Sequence, residues 1–207
     1  MPGMTISDPK SDLHTYLREG RAAMLWKLAG LSEYDIRRPM TPTATNLLGL
    51  VKHLAAMEIG YFGDTFGRPV ADQPAWSAGD VMIAQPNVDM WAAADESRDY
   101  ITGWYRDACA HADATIEALD LDAPGHVPWW PAGRNEVSLH LILAHMLAET
   151  HRHAGQADIV RELIDGAAGV SSSNSNLPEG DAAWWAGYRD RLEQAARQAG
   201  HGPDRDV

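Results

Sequence analysis

The sequence predicts an all-α protein: a four-helix bundle with long inter-helix loops and one extra helix toward the C-terminus. Three observations predict it. Four long segments carry apolar residues at steps of three, four and seven. Proline- or glycine-rich breaks separate those segments. No segment alternates apolar and polar residues over a useful strand length. A helix with one apolar stripe must bury it, and four such helices bury their stripes most simply against one another.

The first helix is expected over 12–31, where Leu13, Leu17, Met24, Leu28 and Leu31 share a face. Pro39 and Pro42 then break the pattern, since proline lacks an amide donor and disfavours helix in the residue before it. Thr45 or Asn46 can cap a second helix reaching about Thr65, with Leu47, Leu50, Leu54, Met57 and Tyr61 inside. From Gly67 to Met90 periodicity is lost and Pro69, Pro74 and Pro86 punctuate the chain; a connection this long is uncommon in a compact domain and often functional. A third helix, from Asp95 or Glu96 to Leu119, carries Ile101, Trp104, Tyr105, Ala108, Ala112 and Leu119 on one face. After Pro128-Trp129-Trp130-Pro131, a fourth runs from about Asn135 to Ile164 and closes at Gly166. The Gly/Ser/Asn stretch 169–176 reads as a linker. A last helix over 181–198 offers Trp184, Trp185 and Tyr188 for docking. The expected organisation is therefore a bundle over 1–168, then a linker and C-terminal helix packing on it over 169–207.

Composition narrows the function. Hydrophobic residues make up 45% of the 207, enough for a sizeable core. A formal net charge of -12, without a basic run, argues against nucleic acid and anionic membrane surfaces as partners. No apolar run is long enough to span a bilayer, and the start, MPGMTISDPKSD, lacks the pattern of a secretory leader. One cysteine, Cys109, allows no internal disulfide and no cysteine-rich zinc module. A cytoplasmic setting is the expectation. Oligomeric state is open, with a homodimer compatible.

Chemistry concentrates on the fourth helix, where His140, His145, Glu149, His151 and His153 fall close together. Helical phase sorts them. At about 100° per residue, taking Glu149 as zero places His153 at roughly 40°, within the stripe of Ile142, Met146, Val160 and Ile164. His140 and His151 point to solvent, and His145 lies at the edge. A carboxylate inside an apolar stripe is costly unless paired or bound to a cation, so Glu149 is the telling residue. Glu149 and His153, four apart, can reach one ion. On the second helix His53 borders the buried face beside Leu50 and Met57 and supplies a third donor. The plainer reading gives a lone histidine a hydrogen-bonded core role and pairs Glu149 with Arg152 or an arginine of another helix.

The chain also resembles a known family. The stretches that carry the likeness are Leu48-Gly49-Leu50-Val51-Lys52-His53-Leu54 and His145-Met146-Leu147-Ala148-Glu149-Thr150-His151-Arg152-His153-Ala154-Gly155-Gln156. Further similarity covers Pro128-Trp129-Trp130-Pro131, 158–166 and 176–181. Together they resemble the DinB-like metal-binding four-helix bundles, in the actinobacterial branch near the mycothiol-dependent maleylpyruvate isomerases. Many of those proteins have histidine where this chain has Glu149; the isomerase-like branch has a carboxylate. The resemblance implies a His, Glu, His set at His53, Glu149 and His153, holding zinc with water completing the sphere.

Three protein donors leave a coordination position open, as in catalytic zinc sites. The resemblance implies use of that position by a low-molecular-weight thiol such as mycothiol, for S-transfer to a small electrophile or for isomerisation. Nickel or iron would suit the donors too. Three alternatives stay open: a non-catalytic metal-binding or stress-response protein, a non-haem iron oxygenase built on two histidines and a carboxylate, and a zinc-hydroxide hydrolase. Cys109 is a weak nucleophile candidate. Trp129 and Trp130 either wall a cleft or plug the bundle end, and His145 is either edge packing or a base. Specificity is expected in the loop from Gly67 to Met90 and in the segment before the fourth helix.

Overall fold

The structure, a computed structural model, describes residues 8–200. The leader-free reading of the N-terminal segment falls mostly on residues outside that range. The fold is all-α with one tiny two-stranded ribbon. No helix among the described residues is long and apolar enough to cross a membrane.

Helix α1 spans Pro9–Trp26; the Asp8 carboxylate accepts from the Ser11 amide, and Pro9 sits where a helix needs no amide donor. It stops before the expected Leu31 because Lys27 turns inward, donating to Asp158 and to the Gly169 carbonyl, and Gly30 takes a left-handed conformation (φ 77°). A short α2, Glu33–Arg37, follows under a Ser32 cap and buries Ile36 completely. Helix α3 spans Leu47–Glu58 with Asn46 as its cap. It runs on as a π turn, Ile59–Gly63, and a 3-10 turn, Asp64–Phe66, before stopping at Gly67 (φ 64°).

The connection after Gly67 is more ordered than its composition suggests: it holds a 3-10 turn at Ala75–Ser77 and a six-residue α4 at Gly79–Ala84. Helix α5, Arg98–Ala118, is capped by Ser97. The fourth long helix begins later than expected, because Glu136–Ser138 forms a strand, β2, antiparallel to β1 at Pro124–His126. Here Gly125 lies under the Phe66 ring, where a Cβ would come within 2.7 Å of it. Helix α6, Leu139–Asp165, is capped by Ser138 and closed by Gly166 (φ 79°).

The four long helices form the bundle. α1 packs along α6, α3 along α5, α3 also meets α6, and α1 meets α5. Arg21 of α1 donates to both oxygens of the fully buried Glu58 (2.7 and 2.6 Å) and to Asp113 of α5 (2.5 Å), which also pairs with His14 (2.7 Å). Three helices are thereby tied through one guanidinium.

Two compact units divide at Ser175 and Asn176. Residues 169–175 belong with the bundle, where the Gly169 amide donates to Asp158 and the Val170 amide to the Asn174 carbonyl. In the second unit α7 spans Ala182–Gly200; Asp181 accepts from the Trp184 amide, and Trp184 stacks on Tyr188 with centroids 5.5 Å apart.

Candidate metal centre

Leu50, Leu54 and their neighbours on α3 are buried and fix the rotation of the helix, which packs against α5 and α6. That rotation leaves His53 half-buried at the α6 side. On α6, Ile142, Met146, Ala157 and Val160 are buried and put Glu149 and His153 on the matching face. The two elements bring the three predicted residues together. Glu149 Oε1 lies 3.0 Å from His153 Nε2 and 3.3 Å from His53 Nε2. One donor atom from each residue falls within 4.8 Å of the others, and the imidazole rings meet edge-on with centroids 4.9 Å apart. His140 and His151 are exposed, as their phase requires, and His151 lies 3.1 Å from the Tyr16 carbonyl. Arg152 is exposed as well, and the histidines take the place of the arginine partner allowed for Glu149.

The far side of each imidazole explains why these groups suit a cation. His53 Nδ1 donates to Asp89 Oδ2 (2.6 Å), and His153 Nδ1 donates to Gln156 Oε1 (2.7 Å). With both Nδ1 protons committed to oxygen acceptors, both Nε2 lone pairs face Glu149. Three electron-pair donors at this separation repel unless a proton or a metal ion lies among them. Two imidazoles, each held from behind, and a carboxylate are the donor chemistry of zinc and of other divalent transition metals.

Without a metal, a proton takes that place. Burial alone would lower the His53 pKa, but the hydrogen bonds to Asp89 and Glu149 and their charges overcome it and raise the value to about 9. Reciprocally, the hydrogen bond from His53, helped by His153 and only partly opposed by burial, holds Glu149 down at about 2. Burial raises Asp89 and its bond with His53 lowers it, with the net shift downward. Metal binding must therefore displace the His53 proton.

Asp89 was hidden from sequence reasoning because it sits in the aperiodic connection. Three groups on the first half of α3 clamp that segment. Asn46 Nδ2 donates to the Met90 carbonyl (3.1 Å), and Lys52 Nζ reaches the Trp91 carbonyl (3.0 Å) and Glu96 (2.8 Å). Gly49 allows the approach itself: a Cβ there would stand 1.9 Å from the Met90 carbonyl oxygen. A glycine and a buried lysine in the apolar first half of α3 were the available signals, and both point at this loop rather than at solvent.

Aromatic groups line the neighbouring turn of α6. His145 packs against Tyr61 and Trp130, with centroids 4.7 and 5.2 Å away, and burial pushes its pKa down even though Glu149 pulls the other way. Both indole N–H groups donate to the Tyr61 hydroxyl, Trp130 at 3.1 Å and Trp129 at 3.4 Å. The pair divides the two roles open to it: Trp130 packs against the buried cluster at that end of the bundle, while Trp129 stays half-exposed. Cys109 is elsewhere, on α5 beside Arg21 and Asp113. Burial first, and then the Glu58 charge, push its thiol far above the ordinary range, which leaves it protonated and a poor nucleophile.

Residues 12–166 match the sequence-family model for Mycothiol-S-transferase, which covers most of the chain. No curated protein matches it. The chain belongs to the mycothiol S-transferase family, in agreement with the resemblance drawn from its motifs.

Proposed function

We propose that this member of the mycothiol S-transferase family is a metal-dependent thiol transferase: His53, Glu149 and His153 hold a divalent ion, zinc, and the thiol of mycothiol is delivered to a small electrophile. The observation that carries the reading is the convergence of three donors whose imidazoles are already engaged from behind by Asp89 and Gln156. A zinc ion on three protein donors keeps a position open and would stabilise a bound thiol as thiolate near neutral pH.

The chain's own groups prepare that reaction. Asp89 and Gln156 hold the two rings in the tautomer that offers Nε2 inward and keep them from rotating. Glu149, ionised over the whole working range, balances part of the charge of a divalent ion. Tyr61, Trp130 and His145 close the neighbouring turn with aromatic surface and limit water there. In the transfer itself a carbon–sulfur bond forms, the leaving group departs with its electron pair, and the thiol proton passes to solvent. A reducing compartment, where a free thiol cosubstrate and an unpaired Cys109 both persist, is the setting this reading requires.

The test is turnover of mycothiol with a neutral alkyl halide by zinc-loaded protein, against Glu149→Gln and His153→Ala. The expected result is metal-dependent product formation that falls about a hundredfold or more in each variant, at least the loss caused by removing a group that orients a metal ligand. Zinc binding without turnover of any thiol would mean a non-catalytic metal protein. Stoichiometric iron with oxygen-dependent turnover would overturn the zinc–thiol reading.

A further inference from the structure

One turn beyond His53, the same face of α3 opens into a cavity of about 320 Å³. That is the size of a small-molecule site. Met57 and Gly60, Trp129, and Met82 and Ile83 of α4 line it. Asp64 lies at the rim.

Several features mark this cavity as built for a ligand. The π turn that follows α3 after Glu58 carries Gly60 and Tyr61, and single π turns are frequent at functional sites. Gly60 lets the indole lie against the backbone, since a Cβ there would stand 2.9 Å from the Trp129 ring. Trp129 is 46% exposed and Ile83 79% exposed, a large apolar surface gathered at one opening. Two thioethers and an indole suit the faces and edges of an aromatic ring. None of the lining side chains is cationic, and the one ionisable group among them is the carboxylate of Asp64. An anion entering here would lose water and meet the Asp64 carboxylate with no cationic side chain to balance it, only the Ser77 hydroxyl and the start of α4 at Gly79. The α4 side comes from the connection that also supplies Asp89, so one segment contacts both the metal centre and the cavity.

We infer that this cavity is the electrophile site and that it takes a neutral, apolar molecule of aromatic size while rejecting carboxylates. Its role as the electrophile site rests on the thiol-transfer reading; its preference for a neutral ring does not. The reaction expected of such a substrate, with 4-nitrobenzyl chloride as the example, is displacement at the benzylic carbon. The mycothiol sulfur bonds to that carbon, the carbon–chlorine bond breaks, chloride leaves with the bonding pair, and the thiol proton goes to water.

Binding is tested with an unreactive pair, 4-nitrobenzyl alcohol and 4-(hydroxymethyl)benzoate, titrated into zinc-loaded full-length protein by ligand-detected NMR. The expected result is at least tenfold tighter binding of the neutral ring, lost by tenfold or more in Met82→Arg, whose zinc stoichiometry stays at one per chain. If Met82→Arg fails to fold, Ile83→Glu on the exposed side makes the same test. Equal affinity for the two probes, or no effect of either substitution, overturns the assignment. Turnover of 4-nitrobenzyl chloride separates the two readings. Probe binding that Met82→Arg abolishes, without chloride release by wild type, leaves the neutral-ring site standing and sinks thiol transfer. Chloride release that ignores both substitutions sinks the cavity and leaves thiol transfer standing.

Discussion

His53 is hydrogen-bonded between two carboxylates, Asp89 at Nδ1 and Glu149 at Nε2, and this arrangement sets the charge of the metal-free protein. With its pKa raised to about 9, the imidazolium stabilises the fold fully below the ordinary value of 6.5, and that contribution is lost as pH rises through about 9. Glu149, lowered to about 2, contributes above its ordinary 4.5 and loses that contribution as pH falls toward 2. Thermal unfolding of metal-free protein should therefore show Tm falling between pH 6.5 and 9.5, with a shallower fall in His53→Gln; identical slopes would contradict the assignment. Asp89→Asn keeps an acceptor but removes the charge, and should weaken zinc binding by about 10- to 100-fold, the usual cost of losing a group that orients a metal-bound histidine. Calorimetric titration of zinc checks this. The three donors could be read in the sequence because helical phase turns Glu149 and His153 inward together and sets His53 at a buried edge. Asp89 could not, since nothing in an aperiodic segment says which residue returns to the helix.

The elements show the same division. Long helices were legible because a stripe repeated over three or more turns leaves little choice of period. The three-residue strands, the five-residue α2 and the six-residue α4 are too short to display any period, and tertiary contacts define them. The connection from Gly67 to Ser97 matters most among these, because its second half is clamped on α3 through Asn46, Gly49 and Lys52. Gly49→Ala places a methyl against a backbone carbonyl that cannot swing away as a side chain would. It should destabilise the protein by about 1–3 kcal/mol and weaken zinc binding by displacing Asp89. Gly103→Ala is the control: it lies within α5 with nothing near its added carbon, and should stabilise by about 0.5–1 kcal/mol. Denaturant unfolding of both variants decides the point; equal effects would mean that Gly49 is only a helix-propensity defect.

At the scale of the whole molecule, charge inside the bundle ties its helices together. Arg21 joins α1 to Glu58 of α3 and Asp113 of α5, with Glu58 fully buried. Arg21→Met should cost about 3–5 kcal/mol, because Glu58 is left as an uncompensated buried charge. Adding Glu58→Leu should restore much of that loss, which equilibrium unfolding of the single and double variants would measure. The contacts of Glu149 with His53 and His153 tie α3 to α6 in the same sense, and on the proposed zinc reading the ion at a hundred times its Kd should stabilise the chain by about 2.7 kcal/mol. One calorimetric titration probes that link: zinc added at pH 7 to metal-free wild type and to Glu149→Gln. Wild type should bind one zinc per chain and release about one proton as His53 gives up the proton it holds, and the variant should lose tight binding. No zinc bound by wild type, or equal affinity in Glu149→Gln, would contradict it.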